Sequence, residues 1–367
     1  MKFVCEKNKL QEAISIVQKA VTGKSPMSIL EGIYIESNDN EVKLIGSDID
    51  LSIETKLSAQ IIKPGNVVVD SKLFGEIIRK LPNAQVTIET QENNLLKIHC
   101  EKSDFELSHM NGEDFPTLPT INENIFFSVH QETLKNMIKG TSFAVAQDET
   151  RPILTGILFE VDNKTLNLVA LDGYRLALKR ELLDTENTIS AVIPGKTLID
   201  VAKILEETTE IANITFTTNH ILFNLGVTKV ISRLLEGEFI NYSSIIPQEH
   251  KLSLTVKKQE LQNCIERASL MAKDSNSNLI KLDIQPDNLI ITSNSQLGKV
   301  REELAINLQG EPLQIAFNSK YLIDVLKIME EETIVMEFTS AVSPCIVKNS
   351  NTNNCQYLIL PVRLANS

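Results

Sequence analysis

The segment FVCEKNKLQEAISIVQKAV (residues 3–21) recurs as FSVHQETLKNMIKGTSFAV (127–145) and again as LTVKKQELQNCIERASLMA (254–272). Successive copies begin 124 (127 − 3) and then 127 (254 − 127) residues apart. In each, a short alternating stretch leads into apolar residues at i, i+4 and i+7, the stripe of an amphipathic helix. These are Leu10, Ile14 and Val17, then Leu134, Ile138 and Thr141, then Leu261, Ile265 and Ala268. A second element keeps the same register: VDSKLFGEIIRKL (69–81), IPGKTLIDVAKIL (193–205) and FNSKYLIDVLKIM (317–329). Each pairs a polar or Pro-Gly turn with a helical pattern and a lysine at one place, Lys72, Lys196 and Lys320. The first two copies share more, since SILEGIYIE (28–36) matches PILTGILFE (152–160) and EDFPTLP (113–119) echoes EGEFINYSSIIP (236–247).

Between the helical patterns lie β-rich runs such as VKLIGSDIDLSIETKL and TLNLVALDGYRLALKREL, with Asn, Asp and Gly at the turns. Each unit therefore reads as two helices laid on a largely antiparallel sheet. A period this long exceeds that of solenoid repeats and describes a whole domain. The fold class expected is α+β, with three tandem domains over residues 1–121, 122–249 and 250–367.

The 367 residues have room for three cores, and 42% hydrophobic with 23% charged residues is the composition of a soluble globular protein. No apolar run reaches a membrane span and no secretory signal opens the chain, so a cytoplasmic location is expected. The five cysteines form no CxxC pair and read as reduced thiols. With 36 Lys plus Arg against 48 Asp plus Glu the net charge is −12, which excludes whole-surface attraction to nucleic acid but leaves room for a minority basic face.

Catalytic chemistry is looked for and not found. GKS (23–25) and GKT (195–197) resemble the end of a phosphate-binding loop, but Gln18 and Ser190 stand where its first glycine belongs. His99, His109, His130, His220 and His250 are scattered without zinc spacing, and Asp48 and Asp50 read as the solvent face of a strand. No catalytic residue, metal or cofactor is expected.

Three units joined head to tail make an arc. A compact unit of this length has a diameter of roughly 35 Å, so three in a ring leave a hole of about 5 Å and six a hole of about 35 Å, against a duplex about 20 Å wide. Only a head-to-tail pair of chains encircles DNA, and a heterologous contact that closes after two chains is an allowed dimer. Lys9, Lys19, Lys72, Lys196, Lys203, Lys320 and Lys327, with Lys24 and Arg79, are candidates for a mildly basic inner wall. The other reading is that they are solvated lysines balanced by Glu12, Glu76, Asp200 and Asp324 on the same helices.

TRPILTGI (150–157), LDGYRLA (171–177), LLEGEF (234–239), FNSKYLIDVL (317–326) and YLILPVRL (357–364) give the chain, over its whole length, a specific resemblance to the bacterial β sliding clamp, the processivity subunit of DNA polymerase III. That resemblance implies a non-catalytic homodimeric ring of six domains around double-stranded DNA. It also implies partners: a clamp loader, the α subunit of DNA polymerase III, and other polymerases and repair proteins that dock through short peptides, with no membrane. The family's peptide site, carried over by motif, has an apolar floor of Leu154, Leu171, Gly173, Leu176, Ile245, Leu358 and Leu360. Tyr174, Arg175, Pro361, Val362 and Arg363 fall at its edge, and Asn318 and Tyr321 line its second half. An apolar pocket with a few polar fixers suits an extended peptide with two or three hydrophobic anchors. From the residues alone LILPVRL reads equally as a buried edge strand. Ile240 departs from the pattern, which has proline there, and Ser244 stands where some members carry a basic residue. For DNA the resemblance points to Lys24, Gln147 and Arg151, with Lys196 as a further candidate; for the dimer seam it points to Phe105, Leu107, Leu270 and Met271, which as apolar residues also suit a domain core.

Overall fold

The computed structural model describes residues 1–363 apart from 123, 125, 273–277 and 297. Leu364, the end of the YLILPVRL run, lies outside the described residues. Six α-helices occur among those described: α1 (Lys7–Val17), α2 (Ser71–Lys80), α3 (Gln131–Ser142), α4 (Gly195–Ile204), α5 (Lys258–Ala272) and α6 (Ser319–Ile328). They follow the repeat expected from the sequence. Strands Lys2–Glu6, Phe127–His130 and Leu252–Lys257 run directly into α1, α3 and α5, and strands Gly65–Asp70, Ile189–Pro194 and Leu313–Asn318 run directly into α2, α4 and α6.

The helices form where the apolar stripe and the caps agree. In α1, Leu10, Ala13, Ile14 and Val17 are buried on one face. The Asp70 carboxylate accepts from the Leu73 amide at 2.7 Å to start α2, and the Asn318 side-chain oxygen accepts from the Lys320 amide at 3.0 Å to start α6. Thr141 holds an apolar stripe position in α3 and is fully buried, because its hydroxyl donates to the Met137 carbonyl at 3.0 Å and leaves the methyl to pack. All five cysteines are buried and unpaired; burial pushes the Cys5 thiol up to about 12 and raises the Cys345 thiol well above its ordinary value, which keeps both as neutral core groups.

The chain divides into two compact units: one of Met1–Leu134 with Asp200–Leu234, the other of Lys135–Ile199 with Leu235–Ser367. The first holds a thirteen-stranded antiparallel sheet. In it the strand Thr228–Arg233 of the central repeat pairs with Leu51–Ser58 of the first, so two repeats share one ladder. The second holds a nine-stranded sheet in which Arg175–Leu182 of the central repeat pairs with Cys355–Ile359 of the third, and a four-stranded sheet ordered Gly298–Ala305, Asn288–Ser295, Leu279–Ile284, Leu313–Asn318. Asp48 and Asp50 belong to no strand face. They form the turn between Glu41–Ser47 and Leu51–Ser58, where the Asp48 carboxylate accepts the Asp50 and Leu51 amides at 2.8 and 2.7 Å; a short polar side chain that caps its own backbone ends a strand rather than decorating it.

Gly46 lets the strand Glu41–Ser47 approach the end of α1. A Cβ there would sit 2.1 Å from the Val17 carbonyl oxygen, which is backbone and cannot swing aside. Gly46→Ala is expected to lower stability by about 1–3 kcal/mol, the usual cost of overpacking, read as an earlier midpoint in urea at unchanged slope.

Candidate functional site

The proposed groove residues fall in the second unit, around the seam between Arg175–Leu182 and Cys355–Ile359. Leu176 stands opposite Leu358 in that ladder. Both belong to a core cluster with Leu154, from the 3-10 turn Pro152–Thr155, and Leu171; Phe239, Tyr242 and Ile246 pack on it from the following segment. The expected floor is therefore deeper than the sequence suggested. Leu154, Leu171, Leu176 and Leu358 are buried, whereas Ile240, Ile245 and Leu360 are exposed. Tyr174 is 61% exposed, and Pro361 and Val362 are half-buried beside exposed Arg363. Four leucines hold the seam together, and the exposed apolar groups are Ile240, Ile245 and Leu360.

The reading of LILPVRL as a buried edge strand is corrected. Cys355–Ile359 is an interior strand between Arg175–Leu182 and Cys345–Asn349. The chain leaves that ladder at Leu360, whose amide donates to the Tyr174 carbonyl at 2.8 Å, and the Val362 amide then donates to the Ala316 carbonyl at 2.8 Å. Leaving the strand is what exposes Leu360.

Arg175, expected at the edge of the site, is 9% exposed and spent on internal bonds. Its guanidinium donates to Asp172 at 3.0 Å, to Asp324 of α6 at 2.6 Å and to the Phe143 carbonyl at 2.7 Å. Its central carbon lies 5.3 Å from the Phe143 ring centroid and 4.8 Å from that of Tyr321. Planarity and five donors suit arginine to a site with carboxylates at its rim and rings at its faces. Tyr321 in turn stacks on Tyr174, ring centroids 6.0 Å apart. Burial, then the Asp172 charge, raises the Tyr321 hydroxyl above its ordinary value, so it stays neutral and can donate. Asn318 is a helix cap first, its oxygen committed to α6. Gly173 has φ +90° with open space where a Cβ would be, so the turn conformation alone calls for glycine. In that turn the Asp172 carboxylate accepts the Tyr174 and Arg175 amides at 2.9 and 3.0 Å. Asp172 and Asp324 were the groove residues that sequence reasoning missed; their signal was the aspartate heading the DGYR turn and the one shared by the helix copies at Asp200 and Asp324.

Of the candidate DNA contacts, Lys24 is exposed in the first unit, on the turn before the 3-10 segment Ser28–Glu31. Gln147 and Arg151 are exposed together in the second unit on the loop after α3, where the Thr150 amide lowers the Asp148 carboxyl below its ordinary value. Lys196 is exposed in the first turn of α4. Among the helix lysines, Lys203 pairs with Asp200 at 2.8 Å, as the balanced reading expected, whereas Lys9 pairs at 3.3 Å with Glu6, the residue before α1, and not with Glu12. Such exposed pairs contribute little to stability and screen easily.

The four candidate seam residues divide. Phe105 is 40% exposed and Leu270 is 58% exposed, while Leu107 is buried and Met271 half-buried, with Met271 Sδ 3.6 Å from where a Gly298 Cβ would be. Leu107 is corrected to core: it stands opposite fully buried Leu96 in the ladder. Two open edges lie beside the exposed residues. In the strand Ser103–Asn111, residues 103–108 pair with Leu95–Cys100 while Gly65–Asp70 pairs only at Val67↔Asn111 to Val69↔His109, so residues 103–108 have no second strand partner among those described. Gly298–Ala305 is the outer strand of its sheet. The first edge carries Asp104 and Glu106, the second Lys299, Arg301, Glu302 and Glu303.

Among the described residues no group of three or more His, Cys, Asp or Glu is arranged to hold a metal, and no helix is long and apolar enough to cross a membrane. What the geometry defines is a class of tripled α+β domain with exposed apolar residues over a leucine seam and with open sheet edges. Family models for the N-terminal, central and C-terminal domains of the DNA polymerase III beta subunit match residues 1–119, 128–241 and 243–363. The beta sliding clamp of Bacillus subtilis is 38% identical, the alignment covering 99% of this chain and 100% of that protein. The crystal structure of the DNA polymerase sliding clamp from Bacillus subtilis superposes with a TM-score of 0.96 at 38% identity over 100% of both chains. A putative DNA polymerase III beta subunit from Eubacterium rectale does so with 0.94 at 35% identity over 99% of this chain and 100% of that one. The chain belongs to the DNA polymerase III beta subunit family, the beta sliding clamps. Its function is that of a DNA sliding clamp, a processivity factor and not a catalyst.

Proposed function

We propose that two copies of this chain close head to tail into a six-domain ring around double-stranded DNA, and that the ring tethers the α subunit of DNA polymerase III and other replication and repair proteins through short peptides seated at Tyr174, Ile240, Ile245 and Leu360. Three domains, over 1–121, 122–249 and 250–367, make each half. The observation that carries the closure is the pair of open strand edges, 103–108 in the first repeat and Gly298–Ala305 in the third, each beside an exposed apolar residue, Phe105 and Leu270. An exposed edge is a template for another strand. Lys24, Gln147, Arg151 and Lys196 supply weak phosphate contacts, which suits a ring of acidic chains, each of net charge −12, that must slide on DNA. A clamp loader opens the ring, and replication locates the protein in the cytoplasm.

Sedimentation equilibrium tests the assembly: a species of twice 41.0 kDa is expected at micromolar concentration, and a persistent 41.0 kDa monomer would favour a scaffold that binds peptides without encircling DNA. For the groove, Leu360→Ala removes an exposed anchor contact and Leu176→Ala hollows the seam beneath it. Each is expected to weaken binding of a synthetic peptide bearing Gln, Leu and Phe by about 1–3 kcal/mol in calorimetric titration. Unchanged affinity in both would remove the assignment.

A further inference from the structure

The first repeat contains a second copy of the groove's scaffold, inside the first unit. All the members of its small core cluster, Leu30, Ile45, Val68 and Phe115 with Ile29, Tyr34 and Leu118, have counterparts 124 residues later in the cluster under the groove, among them Leu154, Val192 and Phe239. The backbone repeats as well. Asp48 caps the turn before Leu51–Ser58 as Asp172 caps the turn before Arg175–Leu182. The Arg233 amide donates to the Asp50 carbonyl at 2.8 Å just as the Leu360 amide donates to the Tyr174 carbonyl. Ile49 is exposed on this turn.

The side chains that differ are those that complete the floor. The groove cluster includes Leu171, Leu176 and Leu178, and 124 residues earlier stand Ser47, Ser52 and Glu54. Ser47 and Ser52 are buried and 2.7 Å apart, and the Ser47 hydroxyl donates to the Asp48 carbonyl at 2.8 Å, which leaves Ser52 as the donor between them. A satisfied hydroxyl pair is stable where it is, but it offers an incoming leucine or phenylalanine neither apolar area nor the close contacts of two leucine side chains. Leu51 also holds Arg175's register, so the guanidinium that organises the wall is missing.

We propose that the Ser47–Ser52 hydroxyl pair is a specificity determinant that confines hydrophobic clamp-binding peptides to the central-repeat groove, one per chain, although the first repeat preserves the same backbone. This rests on the groove reading above. The test uses the full-length protein and a synthetic peptide carrying Gln, Leu and Phe, titrated calorimetrically. Wild type is expected to bind one peptide per chain, sensitive to Leu176→Ala, and Ser47→Leu/Ser52→Leu to bind two, falling back to one when Leu176→Ala is added. A folded double variant that still binds one peptide overturns the proposal. So does a wild type that binds two, or that cross-links a photoreactive peptide at Ile49. If the leucine pair does not fold, Ser47→Ala/Ser52→Ala decides: cross-linking at Ile49 is expected to appear, and its absence overturns the assignment. A wild type that binds no peptide, or binds it indifferently to Leu176→Ala, fails the groove reading itself and is recognised before any serine is changed.

Discussion

Replacing Leu270 with glutamate is expected to reduce the protein from twice 41.0 kDa to 41.0 kDa in sedimentation and to abolish its retention on circular DNA. Leu270 is well exposed on α5, and glutamate is a good helix former, so the folded chain tolerates the change. In the seam proposed above the same carboxylate would be buried against apolar surface and would face the edge that carries Asp104 and Glu106. Truncating a central hot spot costs at least about 2 kcal/mol and adding like charge raises that, so the dimer dissociation constant is expected to rise more than about a hundredfold. Wild-type protein loaded on a nicked circle should co-migrate with it in gel filtration and leave once the circle is cut. Retention on the linear product with free ends, or retention of the Leu270→Glu protein on circles, contradicts topological tethering. Leu107→Glu is the control that separates seam from core: with Leu107 6% exposed opposite Leu96, it should unfold the first repeat rather than merely dissociate it.

Arg175→Ala carries the second large effect. The guanidinium joins Asp172, at the head of its own turn, to Asp324 on α6, and both its faces are covered by rings. Removing it leaves two partly buried carboxylates and the Phe143 carbonyl without their donor. Breaking a buried pair in this way typically costs about 3–5 kcal/mol, and the partial exposure of Asp324 argues for about 3 kcal/mol here. The loss should appear as an earlier unfolding midpoint. Because Tyr321 stacks between this guanidinium and Tyr174, peptide affinity should fall together with stability. Arg175→Lys should recover only part of either, since lysine keeps the charge but not the fork. Arg175 and Asp324 together should show a coupling energy of about 1–3 kcal/mol in a double-mutant cycle. Additive single effects would mean that the 2.6 Å contact contributes nothing and that Arg175 acts on the peptide directly.

Much of this was legible beforehand because the repeat supplies three readings of one pattern. The strand-into-helix order of each copy, the helix starts at Asp70 and Asn318, and the apolar stripes through Leu10 and Leu261 are local properties, fixed by residues within a few positions of one another. Even Thr141, odd on an apolar stripe, satisfies itself against its own helix. Asp48 is the instructive miss. The alternation of Asp48 and Asp50 imitates a strand face, and only the hydrogen bonds of its carboxylate to the next amides mark it as a turn.

By itself, then, the sequence determined the tripled α+β architecture, the register of its elements and the set of residues from which a groove, a seam and a basic surface are drawn. Tertiary structure decided which of them meet solvent. Leu176 and Leu360 are both leucines in strand-like sequence, yet one is buried because Leu358 pairs opposite it and the other is exposed because its segment leaves that ladder. Phe105 and Leu107 share a strand face in the same open stretch, yet the first is 40% exposed and the second 6%. Arg175 resembles a ligand contact until Asp324, 149 positions away, is brought against it. The physical reason is common to all three. Periodicity fixes the face on which a side chain lies, but its exposure depends on which strand or helix covers that face, and those partners come from distant parts of the chain.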